Sequence, residues 1–254
     1  MLTASHLRSP ARDRVVMVAL VAALALSAWF VLWWWDASPY RRYLHHDAPA
    51  GPGTPLELVL FVLGWALMIV AMMLPTVIPL LATFRALVGS RRRPGQLLGL
   101  AVVGYVVTWT GFGLVAWIGD RAIHAGVDAI PFLAENPRLV LATTFLVAGA
   151  YQFSPLMYRC LDECRSPLGF ILNRWQGRVE RLEAFRLGVA HGLFCIGCCW
   201  SLMLVMFGVG LGSLAWMLAL GAVTAVEKNA PWGRRVVRPI GVVLLLAGLL
   251  VLNG

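Results

Sequence analysis

At 254 residues, with 60% hydrophobic and 13% charged residues, the chain is too apolar for a soluble domain of its length and falls in the membrane-protein class. Its net charge of +9 does not point to nucleic acid, because the basic residues sit in short clusters between apolar runs and form no continuous face. Little length is left for a soluble domain, so one transmembrane helical domain over 1–254 is expected, with a basic tail at 1–14 and no solenoid-type repeat.

Apolar runs of roughly 17 to 25 residues suffice to cross a hydrocarbon core about 30 Å thick as helices. Barrel strands are excluded because the runs lack alternation, and in lipid a helix satisfies its own backbone. The expected fold is all-α, a polytopic bundle of about seven spans near 15–35, 56–84, 97–118, 139–158, 187–207, 213–226 and 236–252. The first run follows Arg8, Arg12 and Arg14 as a signal peptide would. It is too long for a signal core, and Trp33, Trp34 and Trp35 resemble an interfacial belt, so it is read as a retained helix. Beyond it, His45, His46 and Asp47 form either a metal-capturing triplet or a solvated loop.

The second run carries Met68, Met72 and Met73 ahead of Pro75 and Pro79. Proline releases carbonyls within the membrane, a device found at binding sites. All five cysteines lie in the fourth and fifth runs and their junction. Met157, Cys160 and Cys164 recur at i, i+3 and i+7 and so share a face. On the fifth run His191, Cys195, Cys198, Cys199 and Met206 occupy one stripe about 100° wide. A regular helix there favours Cys195 with Cys198, whereas joint use of the adjacent Cys198 and Cys199 calls for local unwinding, for which Gly197 is the natural place. The sixth run ends in Glu227 and Lys228. Either the helix stops at the interface with Lys228 snorkelling, or Glu227 turns inward to balance a metal or orient His191.

Arginine distribution sets the orientation. The N-terminal tail, the stretch with Arg91, Arg92 and Arg93, the stretch from Arg159 to Arg186, and the one with Lys228, Arg234 and Arg235 are basic, whereas the stretch with Asp120, Asp128 and Glu135 is acidic. Seven spans put the strongly basic segments on one side, so the N-terminus is expected in the cytoplasm and the C-terminus outside, with Arg41 and Arg42 opposing the trend. No cysteine then lies in an external loop, which disfavours a structural disulfide framework. Thiols, thioethers and one imidazole are soft ligands that suit Cu(I); zinc remains possible for the cysteines but leaves the methionines unexplained. Ordinary packing by Cys and Met is the alternative.

The runs Ala71-Met72-Met73-Leu74-Pro75, Tyr151-Gln152 through Cys160-Leu161-Asp162-Glu163-Cys164-Arg165-Ser166-Pro167, Gly197-Cys198-Cys199-Trp200-Ser201-Leu202-Met203 and Glu227-Lys228-Asn229-Ala230-Pro231-Trp232-Gly233 together resemble a bacterial family of predicted metal-binding integral membrane proteins. That family includes the copper chaperone of a bacterial polyphenol oxidase. The resemblance covers about 56–252 and implies metal binding through Met72, Met73, Cys160, Cys164, Cys198, Cys199 and Glu227. Cys195 and His191 come from the helical stripe alone.

The leading expectation is a non-enzymatic Cu(I)-binding membrane protein of the bacterial inner membrane, a chaperone or metallation factor. Its partners would be lipids, a copper-enzyme client or a soluble copper carrier, and no nucleic acid. Met157, Cys160, Cys164 and His191 would form a cytoplasm-proximal site, and Met72, Met73, Cys195, Cys198 and Cys199 a second site near mid-membrane. A metal permease is the rival from the transport class, although no phosphate-binding Gly-rich loop is present to power one. A thiol-disulfide or quinone oxidoreductase is the rival enzyme, with a C-x-x-x-C spacing that departs from the usual redox pair.

Overall fold

The computed structural model describes residues 10–38, 55–136, 138–209 and 213–253, and these are almost entirely helical, with no strand among them. The triplet His45, His46 and Asp47, with Arg41 and Arg42, lies outside the described residues. In order come α1 (Pro10–Asp36), α2 (Pro55–Met68), a π-helical turn (Ile69–Met73), a 3-10 turn (Pro75–Val77), α3 (Ile78–Val88), α4 (Pro94–Ala129), α5 (Pro131–Ala134) and α6 (Arg138–Tyr151). Then follow α7 (Pro155–Arg165), α8 (Pro167–Leu172), α9 (Glu180–Val209), α10 (Leu214–Asn229) and α11 (Gly233–Asn253).

Five helical stretches are long and apolar enough to cross a membrane: Arg14–Asp36, Pro55–Met73, Pro94–Val127, Glu180–Met206 and Gly233–Asn253. A sixth results if α6 and α7, bent by 65° at their junction, count as one broken span. Against about seven expected spans, five or six are long and apolar enough among the described residues, and three of the expected runs depart from a single long helix. The second run breaks at Leu74-Pro75. The fourth ends at Tyr151, because Ser154 Oγ caps the Leu156 amide and Pro155 starts a new helix at its first position. The sixth, α10, has only 16 residues. It rises about 24 Å, short of the core thickness, and ends in two buried charged residues.

Two close helix pairs make the frame. Where α4 meets α9, a Cβ on Gly188 would strike the backbone carbonyl of Ala101, and one on Gly104 that of Phe185, so the axes approach closely only because these positions lack side chains. The α6–α11 pair is sealed likewise at Gly149 and Gly241. In lipid such close packing supplies dispersion energy where the hydrophobic effect between helices is absent. Outer faces such as Leu20, Leu24 and Leu26 of α1 or Val242, Val243, Leu246 and Leu250 of α11 stay exposed, as suits contact with acyl chains.

The break in the second run has a clear cause. Pro75 has no amide hydrogen, so the Ala71 carbonyl lacks its usual i+4 donor. Trp29 Nε1 of α1 donates to that carbonyl at 3.2 Å. Just before it, the Leu74 amide reaches back five residues to Ile69 at 3.0 Å, and just after it Val77 bonds Leu74 at 3.1 Å. The helix thus widens and then tightens within nine residues, Ile69 to Val77, while Met72 and Met73 are buried in the wide part.

Candidate metal centre

Helix α9 is the backbone of the site. It runs unbroken through Gly197, and Cys195, Cys198 and Cys199 are all buried. Cys198 Sγ and Cys199 Sγ both fold back onto the Cys195 carbonyl, at 3.1 and 2.8 Å. The helix is not unwound at Gly197, and both sulfurs still reach one backbone carbonyl. A short side chain rotated toward the preceding turn brings sulfurs at i+3 and i+4 to one carbonyl without any change of backbone. Gly197 has a different task. A Cβ there would lie 2.5 Å from Cys160 Sγ, so the glycine is the floor on which α7 sets down its first cysteine. Tyr151 Oη donates to the Gly197 carbonyl at 2.6 Å and fixes the end of α6 at the same spot.

Residues from both of the sites expected from the sequence come near the cysteines of α9. Cys164, at the end of α7, comes within hydrogen-bonding reach of Cys198, which also reaches Cys195 and Cys199. From the π-helical turn, Met73 Sδ approaches Lys228 Nζ at 4.0 Å; Met72 lies instead against Gly221 of α10. Met157 is fully buried on the same α7 face as Cys160. All five cysteines are free thiols.

Lys228 lies at the centre of the cluster, and the snorkelling reading was wrong. It is 6% exposed, and Nζ donates to Cys195 Sγ at 2.7 Å and to Cys199 Sγ at 3.8 Å. Tyr105 Oη of α4 shares a hydrogen bond of 2.9 Å with Cys195 Sγ from the other side. Sequence reasoning missed both residues in this role. The Pro231 that follows makes the end of α10 look like an interface, and a lone tyrosine in an apolar run carries no spacing signal. The usable clue to Lys228 was its separation from the basic cluster at Arg234 and Arg235 by the uncharged stretch from Asn229 to Gly233.

Glu227 does turn inward. It is 1% exposed, and its Oε1 has no hydrogen-bond partner among the described residues. His191 Nδ1 is also unpartnered, so Glu227 does not orient that nitrogen. The imidazole packs among rings, with Tyr105 at 5.9 Å and Phe170 edge-on at 5.2 Å between centroids. It sits one turn below the sulfurs, beside the cluster. The helix end that carries Glu227 is held by Arg165, which donates to the Glu227 carbonyl at 2.5 Å and to the Pro231 carbonyl at 3.1 Å.

Among the described residues no three His, Cys, Asp or Glu side chains stand in metal-holding geometry; the sulfurs converge on Lys228. The donor set is nevertheless that of a soft ion, since thiols and a thioether gather in the interior with a buried carboxylate beside them. An open cavity of about 640 Å³ on the α7–α8 side is lined by Cys160, Asp162, Glu163, Ser166, Phe170 and Phe194 among others, and Cys160 is the cysteine it touches.

Searches of curated proteins and of solved structures returned no match. A family model described as PpoB2, copper chaperone, matches residues 62–251 and so takes in every sulfur residue of the cluster. The chain belongs to the PpoB2 copper chaperone family.

Proposed function

We propose that the chain is a membrane-embedded Cu(I) chaperone that takes the ion on the sulfurs of Cys195, Cys198, Cys199 and Met73 and hands it to a copper enzyme. Cys164, Cys160, Met157 and Met72 form the adjoining ligands for exchange, and His191 and Glu227 flank the site. The observation that carries this reading is the convergence of thiols and a thioether from α9, α7 and the π-helical turn, buried except for the half-buried Cys164. Sulfur from three separate elements gathers at one place among the described residues, and the family description names copper. The thioether suits Cu(I), whereas Zn(II) sites are built from cysteine, histidine and carboxylate. Exchange between neighbouring sulfurs moves the ion without exposing it bare to lipid.

In this reading the protein is not an enzyme, resides in the bacterial inner membrane and keeps its N-terminus in the cytoplasm. A soluble copper carrier on that side and a copper enzyme are its partners. Support for the orientation comes from ion pairs that hold basic segments at one end: Arg91 with Glu180 at 3.0 Å and Arg234 with Asp162 at 2.9 Å. Reporter fusions after Arg93 and Arg174 are expected to read as cytoplasmic and one after Asp128 as external. An external reading at Arg174 would overturn the orientation.

The test of function is Cu(I) competition against a chelator of known affinity, on the purified protein in detergent, with metal content measured in parallel. Tight binding that survives the chelator is expected, together with loss of free-thiol reactivity. A protein that cedes all copper while still monodisperse would defeat the proposal. Metal uptake into sealed vesicles containing only this protein separates a permease from a chaperone, and none is expected.

A further inference from the structure

Helix α7 has a second face that the sulfur site leaves unused. Tyr158, Asp162 and Arg165, at i, i+4 and i+7, lie on the side of the helix opposite Met157, Cys160 and Cys164. With Pro231, Arg234, Arg235 and Arg238 they line an open cavity of about 670 Å³ at the start of α11. Four arginines meet one carboxylate there, which leaves three positive charges in excess among the lining residues. Asp162 is taken by Arg234 at 2.9 Å, and the same guanidinium lies 5.3 Å from the centroid of the Tyr158 ring. Arg165 donates to the carbonyls of Glu227 and Pro231. Arg235 and Arg238 have no carboxylate partner among the described residues.

The surface below these arginines is apolar. Arg238 stands one turn inside a helix long and apolar enough to cross a membrane. Val242, Leu246 and Leu249 follow it at i+4, i+8 and i+11, keep to its side of α11 and are 47, 54 and 48% exposed. The exposed Trp232 heads the same helix, as aromatic residues do at headgroup level. We propose that the cavity binds an anionic phospholipid, with the phosphate on Arg235 and Arg238 and an acyl chain along Val242, Leu246 and Leu249. The proposal rests on the membrane embedding of the function proposed above and is independent of the sulfur site. A basic patch by itself serves orientation. Here the arginines line a concavity and continue into an exposed apolar stripe, which matches a ligand charged at one end and apolar along the rest. Guanidinium binds phosphate oxygens in bidentate fashion and keeps its charge at any physiological pH. Free phosphate would satisfy the arginines and leave the stripe without a role, and a zwitterionic lipid brings no net charge to offset the excess.

The experiment is native mass spectrometry of the full-length protein in detergent, titrated with phosphatidylglycerol or with phosphatidylcholine of the same chains. The wild type is expected to retain phosphatidylglycerol in preference, and millimolar inorganic phosphate is expected not to displace it. In Arg235→Gln with Arg238→Gln the preference falls on the order of tenfold or more, whereas Arg92→Gln with Arg93→Gln, which removes as much charge elsewhere, leaves it intact. If the first double variant does not fold, the wild-type comparison of the two lipids decides. Equal retention of the two lipids by the wild type overturns the proposal, as does an equal loss of preference in both double variants or an unchanged preference in folded Arg235→Gln with Arg238→Gln. Displacement of the lipid by inorganic phosphate would make the ligand a free anion and overturn the lipid assignment. A protein that stays monodisperse without detergent would overturn membrane embedding and this site with it, an outcome distinct from lost lipid selectivity.

Discussion

Helix α9 delivers three cysteines from a regular helix, whereas the Met72–Met73 segment abandons the α-helix to deliver its sulfur. The difference follows from side-chain length and from where each segment finds its hydrogen bonds. A thiol one bond from Cβ reaches the carbonyl of the preceding turn, so α9 keeps its backbone ladder intact and draws its sulfurs together with no change of backbone. Met73 faces a lysine on another helix, and its backbone widens into a π turn just ahead of a proline. That distortion is tolerated in the buried core because Trp29 repairs the carbonyl Pro75 leaves open. One region is therefore rigid by local bonds, and the other depends on a distant helix.

Removing the sulfurs of the rigid side has the largest expected effect. Cys195→Ser combined with Cys199→Ser is expected to weaken Cu(I) binding by roughly a thousandfold or more, with folded yield nearly unchanged, in the chelator competition. Gly197→Ala comes next. The added methyl meets Cys160 Sγ and pushes α7 away, which should destabilise the fold by about 1–3 kcal/mol. Thermal unfolding of Gly197→Ala, Cys160→Ala and the double variant checks this, and the double variant should recover part of the loss. On the distorted side, Met73→Leu conserves volume and should change stability by less than about 1.5 kcal/mol while weakening Cu(I) by about tenfold. An unchanged affinity would mean the thioether is only packing. The smallest effect is expected for Trp29→Phe, which leaves the Ala71 carbonyl unpaired and should destabilise by about 1 kcal/mol. Its signature is faster hydrogen exchange confined to the segment around Ala71 to Leu74, with α9 unaffected.

Much of the helical fold and most of the sulfur constellation could be read from the sequence, for reasons specific to each. Long apolar runs made α1, α4, α9 and α11 visible, because length and hydropathy are local properties. The 65° bend after Tyr151 was not anticipated, since Ser154-Pro155 inside an apolar stretch announces a helix start only once α6 is seen to stop. The cysteines of α9 were found by helical spacing, which fixes direction within one helix. Spacing gives no distance between helices, and so Cys164 and Met73 were assigned to different sites although both adjoin the α9 cluster. Lys228 eluded the pattern altogether. A cation at a helix end has two physical solutions, snorkelling or a buried partner, and the partner here is built from residues more than 25 positions away.

The central claim is that copper resides on the buried sulfurs of α9 and its neighbours. X-ray absorption on the Cu(I)-loaded, purified protein tests it most directly, because the scattering shell reports ligand type without reference to any variant. A first shell made of sulfur alone, at Cu–S distances and lost in Cys195→Ser with Cys199→Ser, is the result expected. A shell dominated by nitrogen or oxygen, or one that is unchanged in the double variant, would contradict it.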